Sequence, residues 1–334
     1  MFVGLDVGKE WTVGVWKDAG GNKVREDRFP TRDVGLSALA SGLDASSSIA
    51  VEASTHGIFV RDFLASRGLR VELANPLAVK WIYASDKKTD KADAEKLADL
   101  MRLGLLPVCY VPDARTRELR DVIRHRKALV EINASLKNKV RAILAREGLN
   151  LPYQDVLGVK SVEWLEKVEV SEVQGKALRK LVALGQRVKE DVTDYDGEVN
   201  REFENNPQAQ LLATHPGVGA YAAVHIMSAI GDVNRFPSDE QLASYAGVVP
   251  KTWQSGNTTR TKGLKQGDKL LKWILVQCAH AAVRTRCKYR KLYLKKTRKT
   301  KSKQKAIIAV ARKMVETMYC MLKRGEAYRE QKPQ

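Results

Sequence analysis

The chain has 334 residues, with 58 Lys plus Arg against 39 Asp plus Glu, a formal charge of +19 and a sequence pI near 9.7. That length suffices for two domains with cores of their own, and the charge favours a polyanionic partner, nucleic acid before membrane, because each phosphate contact releases condensed counterions. The four cysteines and five histidines are scattered without metal-ligand or disulfide spacing, and no apolar run reaches the roughly 18 to 20 residues of a spanning helix or follows a signal-peptide pattern, so an intracellular soluble protein is expected.

Phe2–Val7 and Thr12–Trp16 read as paired strands, followed after Gly20-Gly21-Asn22 by a third over Lys23–Phe29. A helix is predicted over Val34–Gly42, a buried strand over Ser48–Glu52, a helix over about Ile58–Ser66, a strand over Leu69–Leu73 and a helix starting near Asp90. Three consecutive strands followed by alternating helix and strand is the pattern of an α/β RNase H-like domain, assigned to residues 1–110.

Residues 111–206 form the second predicted segment. Leu119, Val122, Leu129, Ile132, Leu136, Val140 and Ile143 fall at helical intervals, as do Leu181, Leu184, Val188, Val192, Tyr195 and Val199. The break near Gly148–Tyr153 makes them a long helical hairpin or coiled coil. Pro207 opens a third, mainly α-helical segment, residues 207–334. There, His215-Pro216-Gly217-Val218-Gly219 resembles the turn of a helix-hairpin-helix, in which Gly217 and Gly219 would permit a tight turn and backbone N–H groups would hold a phosphate. A purely structural turn fits the same residues. Between Arg284 and Lys305 cations recur without an acid, among them Arg284, Arg286, Lys288, Arg290, Lys291, Lys295 and Lys296, interleaved with Tyr289 and Tyr293. This is the strongest electrostatic footprint in the chain for nucleic acid; a disordered basic tail competes with it, against the helical spacing regained over Ala306–Leu322.

Four carboxylates stand out against this basic background. Asp6 ends the first strand, Glu52 ends the strand expected beside it, and Asp90 and Asp93 lie three apart at a helix start. Taken singly, Asp6 reads as a solvated turn former, while Asp90 reads as a helix cap with Asp93 favoured by the helix dipole. Taken together, converging carboxylates repel unless cations sit between them, and an all-oxygen set favours Mg²⁺ or Mn²⁺. A pair of such ions aligns a nucleophile on phosphorus and stabilises the leaving oxygen.

Asp6 in GLDVGK, Glu52 in AVEAS, and Asp90 with Asp93 in KKTDKADA resemble the Asp-Glu-Asp-Asp, RuvC-like domain of the insertion-sequence one-ten transposases, relatives of Piv-type DNA invertases. HPGVGAYAAVHIMSAIGDVNRF and SYAGVVPKTWQSG resemble that family's C-terminal transposase domain, in the expected order. The resemblance implies an RNA-guided DNA recombinase whose noncoding guide RNA pairs with target and donor DNA. It implies Ser255 as the nucleophile of a phosphoserine intermediate, with Asp6, Glu52, Asp90 and Asp93 as Mg²⁺ ligands. It also implies a prokaryotic, cytoplasmic, nucleoid-associated enzyme. Recombination on two duplexes suggests a homodimer or homotetramer with the helical hairpin as a contact, while heptad-like spacing also fits packing within one chain, and the lack of a long apolar run argues against a membrane partner.

Without that resemblance, a serine before glycine reads as a loop residue, and Ser244, Thr258 and Thr259 are alternative hydroxyls. Lys251, Arg260 and Lys262 are candidates to steady the scissile phosphate, with solvated loop cations as the bland reading. Competing functions are a two-metal RuvC-like nuclease without a covalent intermediate, a DNA invertase not guided by RNA, a nonenzymatic nucleic-acid-binding protein, and an actin-like ATPase or sugar kinase. The last needs a second glycine-rich phosphate loop, for which the sequence offers no convincing candidate.

Overall fold

The structure, a computed structural model, describes residues 1–82, 89–255, 258–264 and 267–330; of residues 252–255, 258–262 and 264 it describes the backbone alone. The chain divides into two compact units, Met1–Val111 and Pro112–Gln334.

The first unit is a five-stranded mixed sheet in the order β3-β2-β1-β4-β5. Its strands are β1 (Phe2–Val7), β2 (Trp11–Lys17), β3 (Lys23–Pro30), β4 (Ser48–Glu52) and β5 (Arg70–Ala74). The first three are antiparallel neighbours, which short turns can join, whereas β4 lies parallel to β1 and β5 parallel to β4. Parallel neighbours need crossovers. Helix α1 (Asp33–Ser41) lies in the connection from β3 to β4, and α2 (Thr55–Ala65) connects β4 to β5. A short α3 (Pro76–Ile82), which the sequence reading does not contain, precedes α4 (Asp90–Arg102).

The period-two alternation of the strands sorts this unit into layers. Val3, Leu5, Ile49, Val51, Val71 and Leu73 cluster with Leu36 and Leu39 of α1 and Val60 and Leu64 of α2. The alternate residues Ala50 and Ala74 cluster instead with Leu97 of α4. Each fully buried Leu, Ile or Val stabilises the unit by about 1.5–3 kcal/mol, so both faces of the sheet are committed to helices. Gly4 and Asp6 share the α4 face, as do Ala50 and Glu52.

The second unit is helical. Helices α5 (Ala114–Arg146) and α7 (Glu172–Asn205) pack together, joined by a connection containing α6 (Val159–Lys167). Contacts Arg115–Glu202, Arg126–Asp196 and Asn133–Gly185 run in opposite sequence directions, so the pair is antiparallel. Its far end has a small core of Val140, Leu144, Val156, Leu157, Leu165, Leu178 and Val182. Here Leu157 sits over Gly185, where a Cβ would lie 2.8 Å from its methyl carbon.

Toward its other end the hairpin joins the main core, in which Ile123 and Val199 pack with residues of the following helices. Those helices are α8 (Pro207–Ala213), α9 (Ala220–Ile230), α10 (Asp239–Tyr245), α11 (Lys269–Ala282), α12 (Lys288–Thr300) and α13 (Lys303–Arg324). A single 3-10 turn, Val233–Arg235, precedes α10. Arg120 of α5 ties the two parts together by donating to the Ser228 and Ala229 carbonyls at the end of α9, at 2.6 and 2.9 Å. Between α10 and α11 the chain forms an antiparallel strand pair, β6 (Pro250–Ser255) and β7 (Thr258–Leu264). The basic run after Arg284 is helical over Lys288–Thr300, not a tail without secondary structure.

Candidate active site

The register of β1 on β4 sets the first half of the site. Leu5 pairs with Val51, so Asp6 and Glu52 follow at the same ends of two neighbouring parallel strands, roughly 4.8 Å apart in the hydrogen-bonding direction. The turn after Asp6 is held by Gly8, whose N–H donates to the Trp11 carbonyl at 2.9 Å. The Thr31 hydroxyl donates to the Gly8 carbonyl at 3.1 Å and contacts Thr12 at 3.0 Å.

Helix α4 brings the other two carboxylates. Thr89 is its N-cap, accepting from the Ala92 N–H at 3.1 Å, so Asp90 begins the helix and is not its cap. Asp90 and Asp93 both lie in the first turn, where unsatisfied N–H groups favour negative charge. Asp93 also accepts from Lys96 Nζ at 2.7 Å. The helix is pressed onto β1 at Gly4: a Cβ there would overlap the Ala94 carbonyl oxygen and lie 2.6 Å from the Ala98 nitrogen. On β2, the buried Lys17 ammonium reaches Asp99 at 2.6 Å and Glu95 at 3.0 Å, fixing the same helix from a second strand.

Sequence reasoning missed Gly4 and Lys17. The signal for Gly4 was present, since a glycine inside a strand marks a close backbone approach and Ala94 and Ala98 offer small residues four apart. Lys17 carries no comparable signal.

The electrostatic result is concentrated on one group. The Asp6 carboxyl is pushed up to about 6, first by burial and then by the negative charges of Asp90, Asp93 and Glu52. Among the described residues, no group of three or more His, Cys, Asp or Glu side chains is arranged to hold a metal ion. The donor set nonetheless fits Mg²⁺ or Mn²⁺. It is entirely carboxylate oxygen, its mutual repulsion is already felt at Asp6, and Mg²⁺ is usually held by one or two carboxylates together with water and substrate phosphates rather than by a closed protein cage.

In the second unit, Ser255 is the last residue of β6 and pairs with Thr258 at the start of β7. The side chains of Ser255, Arg260 and Lys262 lie outside the described residues, as does Gly256; Lys251 is exposed. Gly217 adopts a left-handed φ of +82° and faces α11, where a Cβ would overlap the Cys278 carbonyl oxygen and lie 2.6 Å from Ala282 N. Its role here is close packing. Gly219 is the exposed N-cap of α9, and no atom comes within 4 Å of where its Cβ would be. Nearby, His215 and His225 are buried, and burial pushes both down to about 4, so neither is a cation at neutral pH.

Helix α12 has no acid along its length. Arg290, Lys291 and Lys295 are exposed on it, Lys288 and Lys296 half-buried, and Arg284 and Arg286 exposed before it. The Lys288 ammonium lies 5.2 Å from the Tyr289 ring centroid and 5.0 Å from that of Tyr328.

Comparison with known proteins matches both halves of this arrangement. A transposase model of the DEDD, IS110 type covers residues 3–147, and the model described as Transposase IS116/IS110/IS902 family covers residues 209–294. The first stretch contains all four carboxylates, the second contains Ser255. The chain belongs to the IS110 family of transposases. This transposase is 26% identical to the transposase for insertion sequence element IS1111A of Coxiella burnetii, over 78% of this chain and 74% of that protein. It is 25% identical to an insertion element IS110 protein of Streptomyces coelicolor, over 100% of this chain and 96% of that one. A pilin gene-inverting protein of Moraxella bovis is 30% identical over 133 residues, 39% of this chain and 41% of the relative. As a transposase it is a DNA recombining enzyme that acts on DNA. Among the described residues, no helix is long and apolar enough to cross a membrane.

Proposed function

We propose that this transposase is an RNA-guided DNA recombinase that cuts and rejoins strands through a covalent serine–phosphodiester intermediate. The observation that carries the metal-assisted half is the Asp6 carboxyl, pushed up to about 6 by burial and by Asp90, Asp93 and Glu52. Such a cluster is costly unless a cation joins it. Asp6, Glu52, Asp90 and Asp93 would hold Mg²⁺ or Mn²⁺, which supplies Lewis-acid activation of the scissile phosphate and stabilises charge on the leaving oxygen. The strand order and crossovers support an RNase H-like reading of residues 1–110, with residues 111–206 as the helical, coiled-coil-like segment and 207–334 as the transposase domain.

Ser255 is the proposed nucleophile. Its Oγ–P bond forms as one strand P–O bond breaks, the hydroxyl proton passing to the departing strand oxygen. A second strand's hydroxyl then reverses the step and regenerates the serine. The phosphodiester energy is retained in the ester, so rejoining needs no external energy source. Lys251, Arg260 and Lys262 would steady the phosphate. The basic helix α12, with Arg284 and Arg286 before it, would hold the backbones of guide RNA and of target and donor DNA. Two duplexes suggest a homodimer or homotetramer, acting at the nucleoid in the cytoplasm.

The deciding experiment is capture of the adduct. Wild-type protein with Mg²⁺, its flanking noncoding RNA and a labelled DNA substrate should form a protein–DNA species that protease dissolves, and Ser255→Ala should not. Cleavage without any adduct would favour the two-metal nuclease. An adduct formed equally without RNA would favour an invertase-like enzyme that needs no guide.

A further inference from the structure

A cavity of about 750 Å³ opens beside the base of the β6–β7 pair, between that base and helices α12 and α13. Its apolar wall comes from Leu292 of α12 and Ile308 and Ala309 of α13, with Pro250 at the start of β6 and Val248 just before that strand. Its polar wall is strongly cationic, containing Lys296, Lys305, Arg312 and Lys313 against the single acid Glu316. Glu316 is already engaged by Arg312 at 2.8 Å and by Lys313 at 3.2 Å, so its charge is spent within the cavity wall. Lys296 and Lys305 remain on the α12 and α13 sides of the opening.

An apolar floor of this size beside paired cations matches a flat, hydrophobic group carried between phosphates. We propose that this cavity receives one unpaired nucleotide of a nucleic acid strand, its base on Leu292, Ile308 and Ala309 and its flanking phosphates against Lys296 and Lys305. The location supports a strand rather than a free nucleotide. Pro250 lines the cavity and Ser255 ends the same strand, and the five residue steps between them span roughly 17 Å, about five phosphate steps along the axis of a duplex. A strand whose phosphate is presented at Ser255 can therefore extend to the cavity. The cavity would hold a base out of the stack near the point of exchange, where pairing partners must be traded and unpaired nucleotides are unavoidable.

This proposal rests on the reading that the chain acts on nucleic acid strands, and the test separates the two. Full-length protein is titrated with a fluorescent single-stranded oligonucleotide, with the same sequence as a duplex, and with a free nucleoside monophosphate as competitor. Ala309→Phe fills the floor without changing charge; it should weaken single-strand binding about tenfold and duplex binding less than twofold, leaving the salt dependence unchanged. Lys296→Gln with Lys305→Gln should instead flatten the single-strand plot of log affinity against log salt by about 1.4, at roughly 0.7 per phosphate contact. Iodouracil placed in the oligonucleotide should crosslink the wild-type protein to peptides carrying Leu292 or Ile308, a result independent of whether Ala309→Phe folds normally. Single-strand binding by a folded Ala309→Phe within twofold of wild type would overturn the proposal. Effective competition by the free monophosphate would overturn it as well. A change in sedimentation of that variant with unchanged nucleic acid binding would overturn it by assigning the cavity to protein contact. Loss of all nucleic acid binding in wild type would instead sink the proposed function itself.

Discussion

Gly4 and Ala94 are in backbone contact: the face of β1 on which a Cβ would project is occupied by the Ala94 carbonyl of α4. Because Asp6 lies two residues along that face, with Asp90 one turn before Ala94 and Asp93 immediately before it, this contact sets how closely the carboxylates approach. Gly4→Ala forces the helix off the strand, an overpacking cost of about 1–3 kcal/mol. Chemical denaturation should show that loss. Mn²⁺ binding, followed by its paramagnetic resonance signal, should weaken at temperatures where the variant is still folded. Unchanged stability and Mn²⁺ affinity would refute the positioning role.

The raised Asp6 carboxyl makes a signed prediction for the metal-free protein. A carboxyl whose folded pKa of about 6 exceeds its ordinary value of 3.8 binds its proton more tightly when folded. Its stabilising contribution is therefore full below pH 3.8 and lost as pH rises through 6. Asp6→Asn removes that loss. In EDTA the variant should melt a few degrees above wild type at pH 7.5, with the gap closing toward pH 4. Mg²⁺ should raise the wild-type melting temperature at pH 7.5 and move the variant less. Parallel curves at every pH would show that the four carboxylates do not sense one another.

Glu52→Ala and Asp90→Ala should each reduce DNA strand cleavage by at least about a hundredfold. Affinity for RNA and DNA should stay within about threefold, because the cationic surface of α12 is untouched. Cleavage and gel-shift assays on the same preparations check this. Equal loss of binding and cleavage, with lowered unfolding midpoints, would make these carboxylates structural.

The two glycines of the HPGVG turn should behave differently. Gly217→Ala meets the α11 backbone from a left-handed φ and should destabilise the protein by about 2–4 kcal/mol. Gly219→Ala, exposed with open space around it, should cost less than about 1 kcal/mol. Denaturation measures both. If Gly219→Ala weakens binding of a DNA duplex at unchanged stability, the exposed N-cap is a phosphate contact; if it does not, the turn serves packing alone.

Much of the first unit is legible in the residues because its signals are local. The short apolar runs of Phe2–Val7 and Ser48–Glu52 and the turn at Gly20-Gly21-Asn22 identify strands without knowledge of their partners, and the acids at Asp90 and Asp93 mark a helix start, although the cap is Thr89 and not Asp90. The β6–β7 pair has a local signal as well, since Gly256-Asn257 between residues 251–255 and the Thr-rich run from Thr258 is a two-residue hairpin signal, although a serine before glycine by itself reads as a loop residue.

The sequence by itself determined the carboxylate residue types, their placement at strand ends and a helix start, the positive charge, and the family those motifs resemble. Only the tertiary structure decided that α4 rests on β1 at Gly4, that Lys17 pins it from β2, that Asp6 is the carboxyl pushed up, and that Gly217 faces α11 while Gly219 faces solvent. The reason is physical. Local periodicity reports which face of an element is apolar, but how closely two backbones approach, and which charges then feel one another, depends on contacts between residues about ninety positions apart in the first unit and sixty in the second.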